Sequence, residues 1–354
     1  RAGTAPVRSA RQLPGARGAW RRRRRIVIAL AGLIAAAIVA AIVTLVVVAP
    51  GGNSPPSRPP ASAAPAARIT RIALGEGAAA SSVVADHDNA YVLNVFGRSV
   101  AVVDGLSRRT LGQVDLPGRP RSLVLDPGRR RLWVGLRDRR VVGVGLRDHG
   151  LRGEPLQLPV TPDDLVMLGR QLVAVQHNPA RLVRVDADRR RIVGRPVTPG
   201  GAATGAIAYG GSLLATIVYP PSLVRFDARL RRTGSHRLDA SLPSDLAVDA
   251  KGILWMPDFD AGKVLRVDPQ TGVSREPPIP VGRNPTAVAL DGTSAWVTNK
   301  GDNTVTRIRE SSGRPFTPAI PTGPLAGAIA PRDDLTGGAW ASGTNELLDL
   351  EPPS

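Results

Sequence analysis

Four histidines, no cysteine and several closely spaced acid pairs are the residues of this 354-residue chain that could do chemistry. A histidine beside a carboxylate makes an acid–base pair, and clustered carboxylates hold hard cations. The spacing assembles neither. His87, His149, His177 and His236 fall at four different places in the repeat described below. His177, in Gln176-His-Asn-Pro179, reads as a solvated turn residue. The pairs Asp86/Asp88, Asp163/Asp164 and Asp258/Asp260 supply fewer oxygens than the six or more that calcium takes from one loop. Asp also favours turns by bonding its own backbone. Without cysteine there is no disulfide, thiolate metal site or sulfur nucleophile. Phosphate loops, dinucleotide fingerprints and nucleophile elbows are absent too. The expectation is no catalytic residue, no metal and no cofactor.

The elements that would position any site are more legible. An apolar residue ends a short strand at Val103, Val144, Val185, Phe226, Val267, Ile308 and Leu350, spaced 41 residues five times and then 42. Asp follows at Asp104, Asp186, Asp227 and Asp268. The sixth repeat is the clearest: Thr286–Leu290, an Asp291-Gly292 turn, Ala295–Asn299, a turn over Gly301-Asp302-Asn303, Thr304–Ile308, then a return through Pro318–Pro321. Period-2 strands joined by such turns make a four-stranded meander. Other copies pair Ser122–Asp126 with Leu132–Gly135 and Asp245–Asp249 with Ile253–Met256. One unit has too little apolar surface to fold alone, so repeats of this length stack around an axis. The fold class is all-β, a seven-bladed β-propeller of about 41 residues per blade over residues 68–354. The last repeat ends after its third strand, near Glu346–Leu350, while an orphan strand stands at Arg68–Ala73. That strand is expected to close the ring as the outer strand of blade 7. Trp133, Trp255, Trp296 and Trp340 fall on second strands and are expected to pack between blades.

The N-terminal part has another character. Residues 1–25 carry nine arginines and no acid, half of the net +18. The uncharged run 26–49 contains fourteen Ile, Leu or Val. As a helix it is about 36 Å long, enough for a hydrocarbon core of about 30 Å. Its aliphatic residues favour insertion by roughly 4–8 kcal/mol. A cleaved signal peptide fits less well, because the apolar run is too long. We expect one transmembrane helix at 26–49, a basic cytoplasmic segment at 1–25 and a Pro/Ala-rich linker at 50–67. The positive-inside rule then places the propeller on the extracytoplasmic side of the cell membrane. The chain starts with Arg1 and not Met, so processing or a preceding domain is expected.

Two resemblances follow from these residues. Trp296-Val-Thr-Asn299 with the following Gly-Asp-Asn-Thr-Val, and Val281-Gly-Arg-Asn-Pro285 after its Ile-Pro step, resemble the signature of YVTN-repeat propellers. Virginiamycin B lyases share that fold, and the family relies on a histidine, a glutamate and magnesium; no histidine lies in the fifth-to-sixth repeat region to match. The layout of basic stretch, helix, linker and propeller resembles the C-terminal half of actinobacterial receptor-type serine/threonine protein kinases. No kinase motif occurs within the chain, so that resemblance implies a kinase domain upstream of Arg1. Its implication for function is a membrane-anchored sensor, signalling by self-association. The alternatives are a stand-alone surface binding protein or, third, a lyase-like enzyme.

Propeller topology puts the loops between second and third strands, and those leading into each first strand, on one face around the channel. That face is expected to gather Asn94, Phe96, Arg98, Arg119, Arg121, Arg137, Arg139, His177, Asn178, Tyr219, Asp258, Phe259, Asp260, Lys263, Arg283, Asn284, Asn299, Lys300 and Asp302. A polar face with scattered aromatics suits a protein, peptide or glycan. Nucleic acid is not expected, since the basic residues alternate with Asp.

Overall fold

The computed structural model describes residues 67–75, 78–332 and 337–353. The expected span at 26–49, the basic segment 1–25 and the linker up to residue 66 lie outside them. No helix among the described residues is long and apolar enough to cross a membrane.

Seven antiparallel sheets form seven blades. Blade 1 runs Ala80–Ala85, Asn89–Asn94, Ser99–Asp104 and Thr110–Asp115. Blade 2 runs Pro120–Asp126, Arg131–Leu136, Arg140–Gly145 and Leu151–Gln157. Blade 3 comprises Asp164–Leu168, Gln171–Gln176, Arg181–Asp186 and Arg191–Val197. Blade 4 comprises Ala203–Tyr209, Ser212–Ile217, Ser222–Phe226 and Arg232–Arg237. In blade 5, Leu254–Asp258 and Lys263–Val267 lie between the short strands Ala247–Val248 and Ile279–Pro280. Blade 6 has Pro285–Leu290, Ser294–Asn299 and Thr304–Arg309, and its outer strand is split into Arg314–Pro315 and Ile320–Pro321. Prolines interrupt the outer strands of blades 5 and 6, because each removes an N–H from the ladder, which an outermost strand tolerates. Blade 7 is Leu325–Pro331, Ala339–Gly343 and Glu346–Glu351, closed by Arg68–Ala73. The closing pair runs from Arg68 opposite Glu351 to Ala73 opposite Glu346, as the orphan strand required.

The core is distributed between blades. Each of seven apolar clusters joins one blade to the next, the last joining blade 7 and the closing strand to blade 1 through Ile72, Val83, Val92, Trp340 and Leu347. Second and third strands are buried on both faces, since each sheet lies between two others. Trp133, Trp255, Trp296 and Trp340 each pack against the following blade, as expected.

The sequence reading missed what anchors these rings. Trp133, Trp255 and Trp296 donate through Nε1 to Asp126 at 3.3 Å, Asp249 at 3.0 Å and Asp291 at 2.8 Å, each in the turn before the second strand. Tyr91 does the same to Asp86 at 3.1 Å. An arginine lies over each indole: Arg131 on Trp133, Arg266 on Trp255, Arg307 on Trp296 and Arg332 on Trp340, 4.8–5.8 Å from the ring centroids. Asp86 also accepts from the backbone N–H groups of Asp88 and Asn89, so the first acid pair serves a turn.

Candidate functional site

The loop face is built where second strands end. Their last residues tie the loops down. Asn94 accepts from Ala79 N at 3.2 Å and Gly97 N at 2.9 Å. Asp258 accepts from Ser241 N at 2.9 Å and Leu242 N at 2.8 Å, with Lys263 Nζ at 3.9 Å. Asn299 donates to Thr304 and Thr306. All three expected face residues are buried, with their side chains bonded to loop or strand groups of the protein itself.

The other sixteen residues divide by exposure. Phe96, Arg98, Arg119, Arg137, Arg139, Asn178, Tyr219, Asp260 and Arg283 are exposed. Arg121, His177, Phe259, Lys263, Asn284, Lys300 and Asp302 are half-buried. In blade 6 the backbone N–H groups of Lys300 and Gly301 donate to the carbonyls of Asn284 and Arg283, while Asp302 accepts from Arg283 N. Asn284 Nδ2 reaches Phe259 O of blade 5 at 3.4 Å. Burial pushes the Lys300 ammonium pKa down.

The one described histidine on this face does not form an acid–base relay. Asp163 is ion-paired to Arg121 and accepts from the His177 backbone N–H at 2.8 Å. His177 Nε2 is buried without a hydrogen-bond partner. Burial lowers the imidazole pKa, Asp163 opposes that shift and Arg121 adds to it. A neutral ring is the result. Among the described residues no three His, Asp or Glu side chains converge as metal ligands would.

Two further acids line the central channel. Asp164 opens the first strand of blade 3 and accepts from Ala206 N in the first strand of blade 4. Asp245 accepts from Val288 N in the first strand of blade 6 at 3.0 Å. Burial, reinforced for Asp164 by the Asp245 charge, pushes their carboxyls up to about 7 and about 6. The sequence showed Asp163 and Asp164 as a pair, but they part: Asp163 faces a loop and Asp164 the channel wall.

On the opposite face a cavity of about 780 Å³ opens at the seam of blades 7 and 1. Two arginines in its lining, Arg108 and Arg332, each pair with both Asp349 and Glu351.

Family models and curated proteins give no match to this chain. Solved structures do. A streptogramin B lyase superposes with a TM-score of 0.69 at 14% identity, covering 81% of this chain and 98% of that one. Virginiamycin B lyase from Staphylococcus aureus gives 0.68 at 14%, covering 81% and 100%. The WD40 β-propeller domain of Doa1 gives 0.65 at 15%, covering 80% and 96%. Identities this low establish the propeller architecture alone. The charges that act on His177 are those of Asp163 and Arg121, and no glutamate is among them.

Proposed function

We propose that this chain is an interaction protein whose loop face engages a protein, peptide or glycan. Residues 26–49 would hold it in the membrane with the propeller on the extracytoplasmic side. It would then serve as the sensor portion of a receptor-like serine/threonine kinase, self-association of the single span carrying the signal. One observation carries the interaction reading: ring closure gathers the loops on one face, where Phe96 and Tyr219 are 71% and 49% exposed among exposed charges. Exposed aromatics rimmed by polar groups mark interaction surfaces. The anchoring and kinase parts rest on the sequence alone.

Two triple variants of the full chain test the reading by affinity purification from membranes. Phe96→Ala with Tyr219→Ala and Arg137→Ala strips the loop face. Leu106→Ala with Val273→Ala and Lys251→Ala strips the opposite one. Loss of a co-purifying partner from the first variant alone is expected. Equal retention by both would overturn the assignment.

A further inference from the structure

We infer that the loop face over blades 1 and 2 binds an acidic peptide segment of a partner protein. The inference rests on the loop face being the interaction surface and adds the partner's chemistry. Arg98, Arg119, Arg137 and Arg139 are all exposed. They lie on successive loops joined through the backbone: Leu116 N donates to Arg98 O at 2.8 Å, and Arg137 N donates to Arg119 O at 2.9 Å. Of the nearby carboxylates, Asp163 is paired with Arg121 and the exposed Asp138 with Arg140, while the exposed Asp115 is in no ion pair with the described residues. Guanidiniums therefore outnumber available carboxylates.

Backbone geometry makes two of these arginines replaceable by glycine. Arg98 and Arg139 have φ of 51° and 63°. At the same loop position blade 5 has Gly262 at 60° and blade 6 has Asn303 at 56°. Glycine and asparagine are the residues that take this left-handed conformation readily; arginine takes it at a cost. Arginine takes the same conformation at Arg108, Arg130 and Arg190, so this geometry is not confined to the loop face.

Phe96, two residues before Arg98 in the same loop, offers an exposed apolar surface beside that cation. Arginine forks match carboxylates bidentately, and the aromatic ring accepts an apolar side chain between them. Asp115 interleaves with the arginines; it repels a phosphate backbone but accepts N–H groups from a peptide. An acidic peptide with an apolar residue fits this pattern better than a nucleic acid does.

The test is fluorescence anisotropy of the full chain at low salt. The probe is a fluorescein-labelled poly-glutamate peptide with a central leucine. Its glutamine counterpart, a single-stranded oligonucleotide and inorganic polyphosphate are the comparisons. Binding of the glutamate peptide alone is expected. The double variant Arg98→Gly/Arg139→Gly relieves the backbone and should fold normally, yet weaken binding roughly five- to thirtyfold. Arg130→Gly, at another left-handed position (φ 48°) on the opposite face, should bind as wild type. Equal binding of the glutamine peptide, tighter binding of either phosphate polymer, or full binding by the double variant overturns the inference. If that happens while the loop-face variant still loses its partner, the interaction surface stands and only the peptide chemistry falls.

Discussion

Asp291→Ala should be the most damaging substitution among the turn aspartates, and its cost can be worked from the bonds it removes. Oδ2 accepts from Trp296 Nε1 at 2.8 Å and from Gly338 N of the blade 6–7 boundary at 2.9 Å. Oδ1 accepts from the backbone N–H groups of Thr293 at 2.8 Å and Ser294 at 2.7 Å. Alanine leaves the fully buried indole N–H without an acceptor, which costs about 1–3 kcal/mol. Loss of the link to Gly338 adds about 1 kcal/mol. The exposed Thr293 amide can bond water instead. A total of about 2–4 kcal/mol is a large share of a typical domain stability of about 5–15 kcal/mol. Asp249→Ala removes the analogous bond to Trp255 but no bond to the next blade, so about 1–3 kcal/mol is expected. Asp260→Ala, at an exposed loop position, should stay within about 0.5 kcal/mol of wild type. Urea unfolding of the full chain, followed by tryptophan fluorescence with m held constant, gives the three values. The reasoning fails if Asp291→Ala unfolds at the midpoint of Asp260→Ala, or if Asp249→Ala is the more destabilised.

Three other outcomes are expected. Asp164 and Asp245 have folded-state pKa values raised to about 7 and about 6 from 3.8, so the native state binds more protons than the unfolded chain between pH 4 and 7. Stability should fall as pH rises through that window, and Asp164→Asn should flatten the slope in urea titrations at successive pH values; an unchanged slope contradicts the burial argument. Ile72→Asp places a charge inside the cluster that joins blades 7 and 1, and should cost more than about 3 kcal/mol. A variant with wild-type stability would mean that the closing strand does not hold the ring. All three lysines lie in the propeller, Lys251 exposed on the side away from the loop face. A membrane-impermeant amine reagent applied to intact cells should therefore modify Lys251, and modification only after lysis would refute the proposed topology.

Sequence legibility was greatest where structure depends on one repeated contact. The apolar residue ending each third strand packs between blades whatever its neighbours do, so its period survived and gave the ring. The closing strand was legible at Arg68–Ala73 because both ends of the repeat series were incomplete. Blade 5 was less so: the expected strand Asp245–Asp249 narrows to Ala247–Val248, because Asp245 bonds Val288 N and Asp249 holds a turn and the Trp255 indole. At the site, topology placed nineteen residues on one face but could not separate those holding loops from those offered to solvent. Asn94, Asp258 and Asn299 look like surface turn residues in sequence; Asn94 and Asp258 also bond connections some 15 residues away, and Asn299 bonds the next strand. The proximity of Asp164 and Asp245 was hidden for a similar reason, as they are two blades apart in the chain and meet only through the ring.

Photo-crosslinking in cells that express the full chain tests most directly that the loop face is where this protein meets its partner. A photoreactive amino acid is placed in turn at Phe96, Tyr219, Leu106 and Val273, all exposed, the first two on the loop face and the others on the opposite one. The account requires one discrete crosslinked species shared by the Phe96 and Tyr219 positions and missing from Leu106 and Val273. The same species at Leu106 or Val273, with none at Phe96 or Tyr219, would contradict it.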